Sequence, residues 1–98
     1  MSIKRWAART DDNKREIVAI FRSCGWSVHD LRQPVDLLCG RNGITLLVEI
    51  KRNAKSKLTD LQKEFIDTWK GGPVVRVMDS DGAMQAASKN WQQSIKGK

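Results

Sequence analysis

The dipeptide Asn42-Gly43 lies between two apolar-rich stretches and constrains this chain more than any other pair of residues. Both central residues of a type I′ turn need φ > 0, which Asn and Gly adopt at least cost, so the pair signals a two-residue β-hairpin. Strands over about Val35–Arg41 and Ile44–Lys51 then pair outward from the turn, residue by residue. Val35 faces Ile50, Leu37 faces Val48 and Cys39 faces Leu46. All six are apolar. A slip of one residue would send the whole set to the other face, so the pattern supports the register independently of the turn.

The same register sets Asp36 directly across from Glu49, and strand alternation puts Lys51 on the face of Glu49. Directly opposed side chains have Cβ atoms roughly 4.5–5.5 Å apart, and like charges there destabilise a sheet unless something neutralises them. A divalent cation would do so, with Lys51 as a second positive neighbour. Oxygen-only ligands suit Mg²⁺ or Mn²⁺ rather than Zn²⁺. The bland alternative makes Asp36 and Glu49 solvated positions on a half-exposed strand, with Lys51 a neutralising neighbour. Leu38 and Leu47 weigh against it, because they share that face and require it to be covered.

At 98 residues the chain makes one domain with one modest core. Its net charge of +7 points toward a polyanionic partner without choosing among DNA, RNA and an acidic surface. Cys24 and Cys39 have no metal-ligand spacing and read as reduced structural thiols. Lys4, Arg5, Arg9, Asp11, Asp12, Lys14 and Arg15 interrupt any apolar signal core, and no run reaches transmembrane length. The expected location is cytoplasmic, with no membrane partner.

Residues 1–10 read as a basic arm, 11–93 as the domain and 94–98 as a basic tail. Thr10, Asp11 or Asp12 can cap a first helix reaching about Ser23, with Ile17, Ile20, Phe21 and Cys24 as its buried stripe and Gly25 as its stop. Trp26–Leu31 reads as a strand before the hairpin, and 52–57 as a basic loop. A helix from Thr59 carries the stripe Leu58, Leu61, Phe65 and Trp69, and Gly71-Gly72-Pro73 ends it. Val74–Met78 is a β-branched strand, and Asp79 or Ser80 caps a last helix carrying Ala83, Met84, Ala87 and Trp91. The order αβββαβα contains a right-handed βαβ crossover and implies an α/β fold with a mixed four-stranded sheet flanked by helices on both sides.

Pro34-Val35-Asp36, twelve residues, then Glu49-Ile50-Lys51 resembles the signature of the PD-(D/E)XK nucleases, with Pro34 displaced by one residue from the strict Pro-Asp form. The small size and flanking helices are similar to virus-type replication-repair (VRR-NUC) nucleases and Holliday junction resolvases, over roughly Asp11 to Ala87. The resemblance implies a restriction-endonuclease-like core and a Mg²⁺- or Mn²⁺-dependent endonuclease. Asp36 and Glu49 would hold the metal, with the Ile50 carbonyl as a third ligand, and Lys51 would place or help activate the attacking water. It also puts a first-helix glutamate near the metal, a position matching Glu16, and a second-helix glutamine, matching Gln62, toward the site.

The residues themselves leave alternatives open. Glu16 falls at the edge of the first helix's apolar stripe and could be a surface charge beside Lys14 and Arg15. Thr59-Asp60-Leu61-Gln62 matches a capping box, yet Gln62 projects into the buried stripe, where a polar residue needs a partner. Arg52, Lys55 and Lys57 follow the motif strand and could grip flanking phosphates or simply be a solvated loop; Lys4, Arg5 and Arg9 could extend that footprint. His29 has no evident acid or nucleophile partner and reads as structural. The sum is an expected DNA endonuclease, acting on branched or junction DNA as a homodimer. A non-specific or nicking nuclease and a non-catalytic nucleic-acid-binding module are the alternatives.

Overall fold

The structure, a computed structural model, describes residues 2–51 and 57–91, with side chains from residue 13 onward. Its elements follow the expected order: α1 (Ser2–Ser23), β1 (Ser27–Asp30), β2 (Leu37–Arg41), β3 (Ile44–Ile50), α2 (Asp60–Thr68), β4 (Val74–Val77) and α3 (Ser80–Ser88). The sheet runs β1-β2-β3-β4, antiparallel through the hairpin and parallel between β3 and β4. The expected mixed α/β fold is therefore present. No helix among the described residues is long and apolar enough to cross a membrane.

Asn42 and Gly43 take φ of 54° and 80°, the left-handed pair of a type I′ turn. Leu37↔Val48, Cys39↔Leu46 and Arg41↔Ile44 pair as expected. Val35, Leu37, Cys39, Leu46 and Val48 are fully buried and Ile50 half-buried. Against the apolar face stand Ile17 and Phe21 of α1, Trp26, and Ala83 and Ala87 of α3, whose small side chains let that helix approach closely.

The end of α1 explains why β1 begins where it does. Gly25 sits at φ 92°, its N–H bonds the Arg22 carbonyl at 3.0 Å, and the Trp26 N–H bonds the Phe21 carbonyl at 3.1 Å. These two bonds make a Schellman cap, and the hydrophobic contact such caps favour is the edge-on Phe21–Trp26 ring pair, 6.1 Å between centroids. Trp26 also donates Nε1–H to the Ala87 carbonyl at 2.8 Å. The Arg41 guanidinium lies 4.3 Å from the Trp26 ring and donates to the carbonyls of Cys24, Ala87 and Lys89. One cation from the hairpin thus ties together the C-terminal ends of α1 and α3, where carbonyls lack helical partners.

Three expectations on the helices need correction. Thr10, Asp11 and Asp12 do not begin α1, which runs without a break from Ser2 through the segment read as an arm. Leu61 is not part of a buried stripe: it is 73% exposed, no residue of α2 is buried, and the half-buried positions are Leu58, Gln62, Phe65 and Ile66. Asp79 is the cap of α3, accepting the Gly82 N–H at 2.8 Å, while Met84 is exposed and Trp91 lies beyond the helix end.

Gly72 gives a direct test of how β4 enters the sheet. A Cβ there would fall 2.0 Å from the Thr45 carbonyl oxygen, whereas one at Gly40 would have 3.9 Å of clearance. Gly72→Ala is expected to lower unfolding free energy by about 2 kcal/mol in urea titrations, and Gly40→Ala to change it by less than about 1 kcal/mol.

Candidate functional site

Turning the apolar positions of the hairpin inward leaves Leu38, Leu47 and Glu49 on the opposite face, with Asp36 just outside β2. The regular β2–β3 pairing ends at Leu37↔Val48, so Asp36 and Glu49 are not the ladder rung expected from the register. Antiparallel pairs exchange hydrogen bonds at alternate positions, and the next bonded pair outward would have used the Ile50 N–H. The Asp36 carboxylate takes it instead, Oδ2 accepting at 2.8 Å. Arg32 at φ 73° turns the preceding chain, and the Asp36 carbonyl accepts from the Leu31 and Arg32 N–H groups at 2.8 and 3.4 Å. Asp36 is thereby held at the end of β3 from both its backbone and its side chain.

Glu49 is half-buried beside it. Its Oε2 accepts from Gln62 Nε2 at 2.9 Å, and its Oε1 is buried with no hydrogen-bond partner among the described residues. Burial, and secondly the Asp36 carboxylate, push the Glu49 pKa up to about 7 against the opposing pull of the Gln62 hydrogen bond. A carboxylate oxygen without a donor in such a place is costly unless it meets a proton or a cation.

Gln62 resolves its two readings by satisfying both. Its Oε1 accepts the Thr59 N–H at 3.0 Å while Thr59 Oγ1 accepts the Gln62 N–H at 3.1 Å, which completes the capping box. Its Nε2 meanwhile donates to Glu49 and, at 3.2 Å, to the Pro34 carbonyl. A single amide therefore starts α2, orients Glu49 and ties down the loop leading to Asp36.

Lys51 donates its backbone N–H to the Val77 carbonyl at 2.8 Å, which carries the parallel ladder one residue past β3. Strand alternation places its side chain with that of Glu49. Parallel pairing adds a residue that the sequence reading passed over: Arg76 is the partner of Glu49 on β4 and shares its face, exposed to solvent. The hairpin turn says nothing about this register. Only the β-branched run Val74-Val75 and the crossover geometry pointed toward it, and neither specifies a residue pairing.

Glu16 is exposed on α1, which packs against α3 and β1, and the described residues contain no group of three acidic, histidine or cysteine side chains placed to ligate a metal. Lys57 is exposed; Arg52 and Lys55 lie outside the described residues, as does the tail 94–98. Lys4, Arg5 and Arg9 fall on α1, in the stretch whose side chains are not described. His29 is exposed and pairs with Leu38.

Two carboxylates, one carrying a buried oxygen without a donor, make a donor set that fits a hard divalent cation. Mg²⁺ is commonly held by one or two carboxylates, with waters or phosphate oxygens completing its octahedron. Comparison with known protein families, with curated proteins and with solved structures yields no match.

The raised Glu49 pKa has a defined consequence for metal-free protein. The folded state binds this proton up to about pH 7, whereas an unfolded glutamate loses it near 4.3. Stability from this group is therefore fully present below the unfolded pKa and is lost as pH rises through the folded one. Wild type in EDTA is expected to lose on the order of 2 kcal/mol between pH 4.5 and 8 from this source. Glu49→Gln is expected to remove that component, as read by urea unfolding at a series of pH values. An unchanged slope in the variant would show that Glu49 titrates normally.

Proposed function

We propose that this chain is a divalent-metal-dependent DNA endonuclease of the PD-(D/E)XK type. The observation that carries the reading is the Asp36–Glu49 pair, with Glu49 Oε1 buried and without a donor among the described residues. Lys51 on the adjoining strand position and Gln62 bonded to Glu49 support it. Asp36 and Glu49 would hold Mg²⁺ or Mn²⁺, with the Ile50 carbonyl as the further ligand that the resemblance implies. Such an ion supplies charge stabilisation and a bound water of lowered pKa.

The chain's own residues do the rest. Gln62 holds Glu49 in one orientation through a hydrogen bond that favours the charged carboxylate. Lys51 offers a positive charge where negative charge accumulates on the phosphate during attack. Arg76, opposite Glu49 on β4, extends that positive edge toward a flanking phosphate. Water attacks phosphorus, one P–O ester bond breaks, and the water's protons end on solvent and the leaving oxygen, with no covalent enzyme intermediate. A net charge of +7 suits DNA as the partner. Branched DNA cut by a homodimer in the cytoplasm is the finer form of the same proposal.

The test incubates the protein with Mg²⁺ or Mn²⁺ and a labelled four-way junction, nicked duplex or linear duplex. Wild type is expected to cut, and Asp36→Asn, Glu49→Gln and Lys51→Ala each to lower the rate by about 100-fold or more. Cleavage by the variants at the wild-type rate would remove the site assignment. Equal cutting of all three substrates would remove only the preference for branched DNA. Metal binding can be read without turnover: millimolar Mg²⁺ at pH 8 is expected to raise the melting temperature of wild type and leave that of Glu49→Gln unchanged.

A further inference from the structure

An open groove of about 800 Å³ runs between the flank of α2 and the loop of Arg32, Gln33 and Pro34. Its walls are Leu61, Phe65 and Pro34, and Leu61 is the most exposed large apolar side chain described. The Phe65 ring is set in place by the Trp69 ring, 5.2 Å away and tilted by 31°, which is itself held by Nε1–H donation to the Gly72 carbonyl at 2.7 Å. The groove and the carboxylate site share a wall, since Gln62 Nε2 bonds both Glu49 and the Pro34 carbonyl. We propose that this groove receives an unstacked DNA base next to the scissile phosphate. The substrate class would then be DNA with a frayed or unpaired strand at the cut rather than fully stacked duplex. The identity of the occupant as DNA rests on the nuclease reading above.

Three features select a base over other occupants. The groove opens beside a site whose carboxylates would meet a phosphate through the bound cation, so the neighbouring moiety of a bound strand is what reaches it. Phe65, Leu61 and Pro34 offer apolar and aromatic surface that a phosphate does not use, and Glu64 on the rim repels a second phosphate. Every base presents a π-face, so stacking on such a wall needs no sequence match. Arg32, exposed on the lip at φ 73° and tied through its N–H to the Asp36 carbonyl, supplies the charge complementarity for the backbone of the same nucleotide. Non-glycine residues in that conformation cluster at binding sites because the surrounding structure has to hold them there. The nine-residue helix α2 has no buried residue, and helices this short are marginal on their own. A base packed against its flank would supply apolar contact that the folded chain does not.

The full-length chain, with Ca²⁺ in place of Mg²⁺ so that the carboxylates are neutralised by a hard cation, is titrated with a labelled duplex carrying a frayed arm and with a blunt duplex of equal length. Wild type is expected to prefer the frayed substrate. Leu61→Ser, at a position too exposed to threaten folding, and Phe65→Ala, checked by thermal melting, are each expected to reduce that preference by about tenfold. An undiminished preference in both variants, or none in wild type, overturns the proposal. So does a Leu61→Ser change that turns a wild-type dimer into a monomer in sedimentation, because a second copy would then cover the groove. Parallel assays with Mg²⁺ separate the two readings. A chain that shows the Leu61- and Phe65-dependent preference but cuts nothing retains the groove and loses the nuclease. One that cuts with dependence on Glu49 yet shows no such preference retains the nuclease and loses the groove.

Discussion

The turn at Asn42-Gly43 closes β2 onto β3 with both central residues at positive φ, and strand alternation converts that local geometry into a division of the whole molecule. One face of the hairpin receives Leu37, Cys39, Leu46 and Val48, which bury against α1, α3 and Trp26. The other receives Leu47 and Glu49, and Glu49 is bonded there by Gln62 of α2. Had the register slipped by one residue, the carboxylates would enter the core and the core residues would meet solvent. Arg41, the last residue of β2 before the turn, then draws in the ends of both helices on the core side. The hairpin therefore sets the position of the core and of the candidate site together.

On the site face, local rules give way to one another in a consistent direction. The ladder yields the Ile50 N–H to the Asp36 carboxylate, α2 turns the polar Gln62 inward to reach Glu49, and Glu49 keeps a buried oxygen without a donor among the described residues. All three converge on two carboxyl groups. Sequences tend to break their own folding rules where function requires it. That concentration, more than any single distance, is what distinguishes the pair from two acidic residues that happen to be neighbours.

Much of this was legible in the chain before its structure. A two-residue turn and a period of two suffice to pair Leu37 with Val48 and to put Glu49 and Lys51 on one face, because both are local rules with little freedom. Gln62 was legible as a conflict between capping and burial, and the conflict is real: the side chain does both. What was not legible is what depends on packing. The start of α1 at Ser2 was hidden because Thr10, Asp11 and Asp12 are good caps that are also tolerated inside a helix. Leu61 was misplaced because a projection of apolar residues leaves out where Gln62 finds its partners, Glu49 and the Pro34 carbonyl. Arg76 was missed because no turn sets the register of a parallel pair joined by a crossover. Glu16 was set beside the site only by resemblance, and the packing of α1 against α3 and β1 leaves it exposed.

The central claim is that Asp36 and Glu49 form a cation site whose vacant charge balance is otherwise met by a proton. Carbon-13 NMR of the Glu49 side-chain carboxyl, titrated with and without Mg²⁺, reads this at the atom concerned. In EDTA the resonance is expected to titrate near 7, and saturating Mg²⁺ is expected to move its midpoint well below the ordinary glutamate value, because the cation competes with the proton for the same oxygen. A midpoint in the ordinary glutamate range in EDTA, or one that Mg²⁺ does not move, would contradict the account.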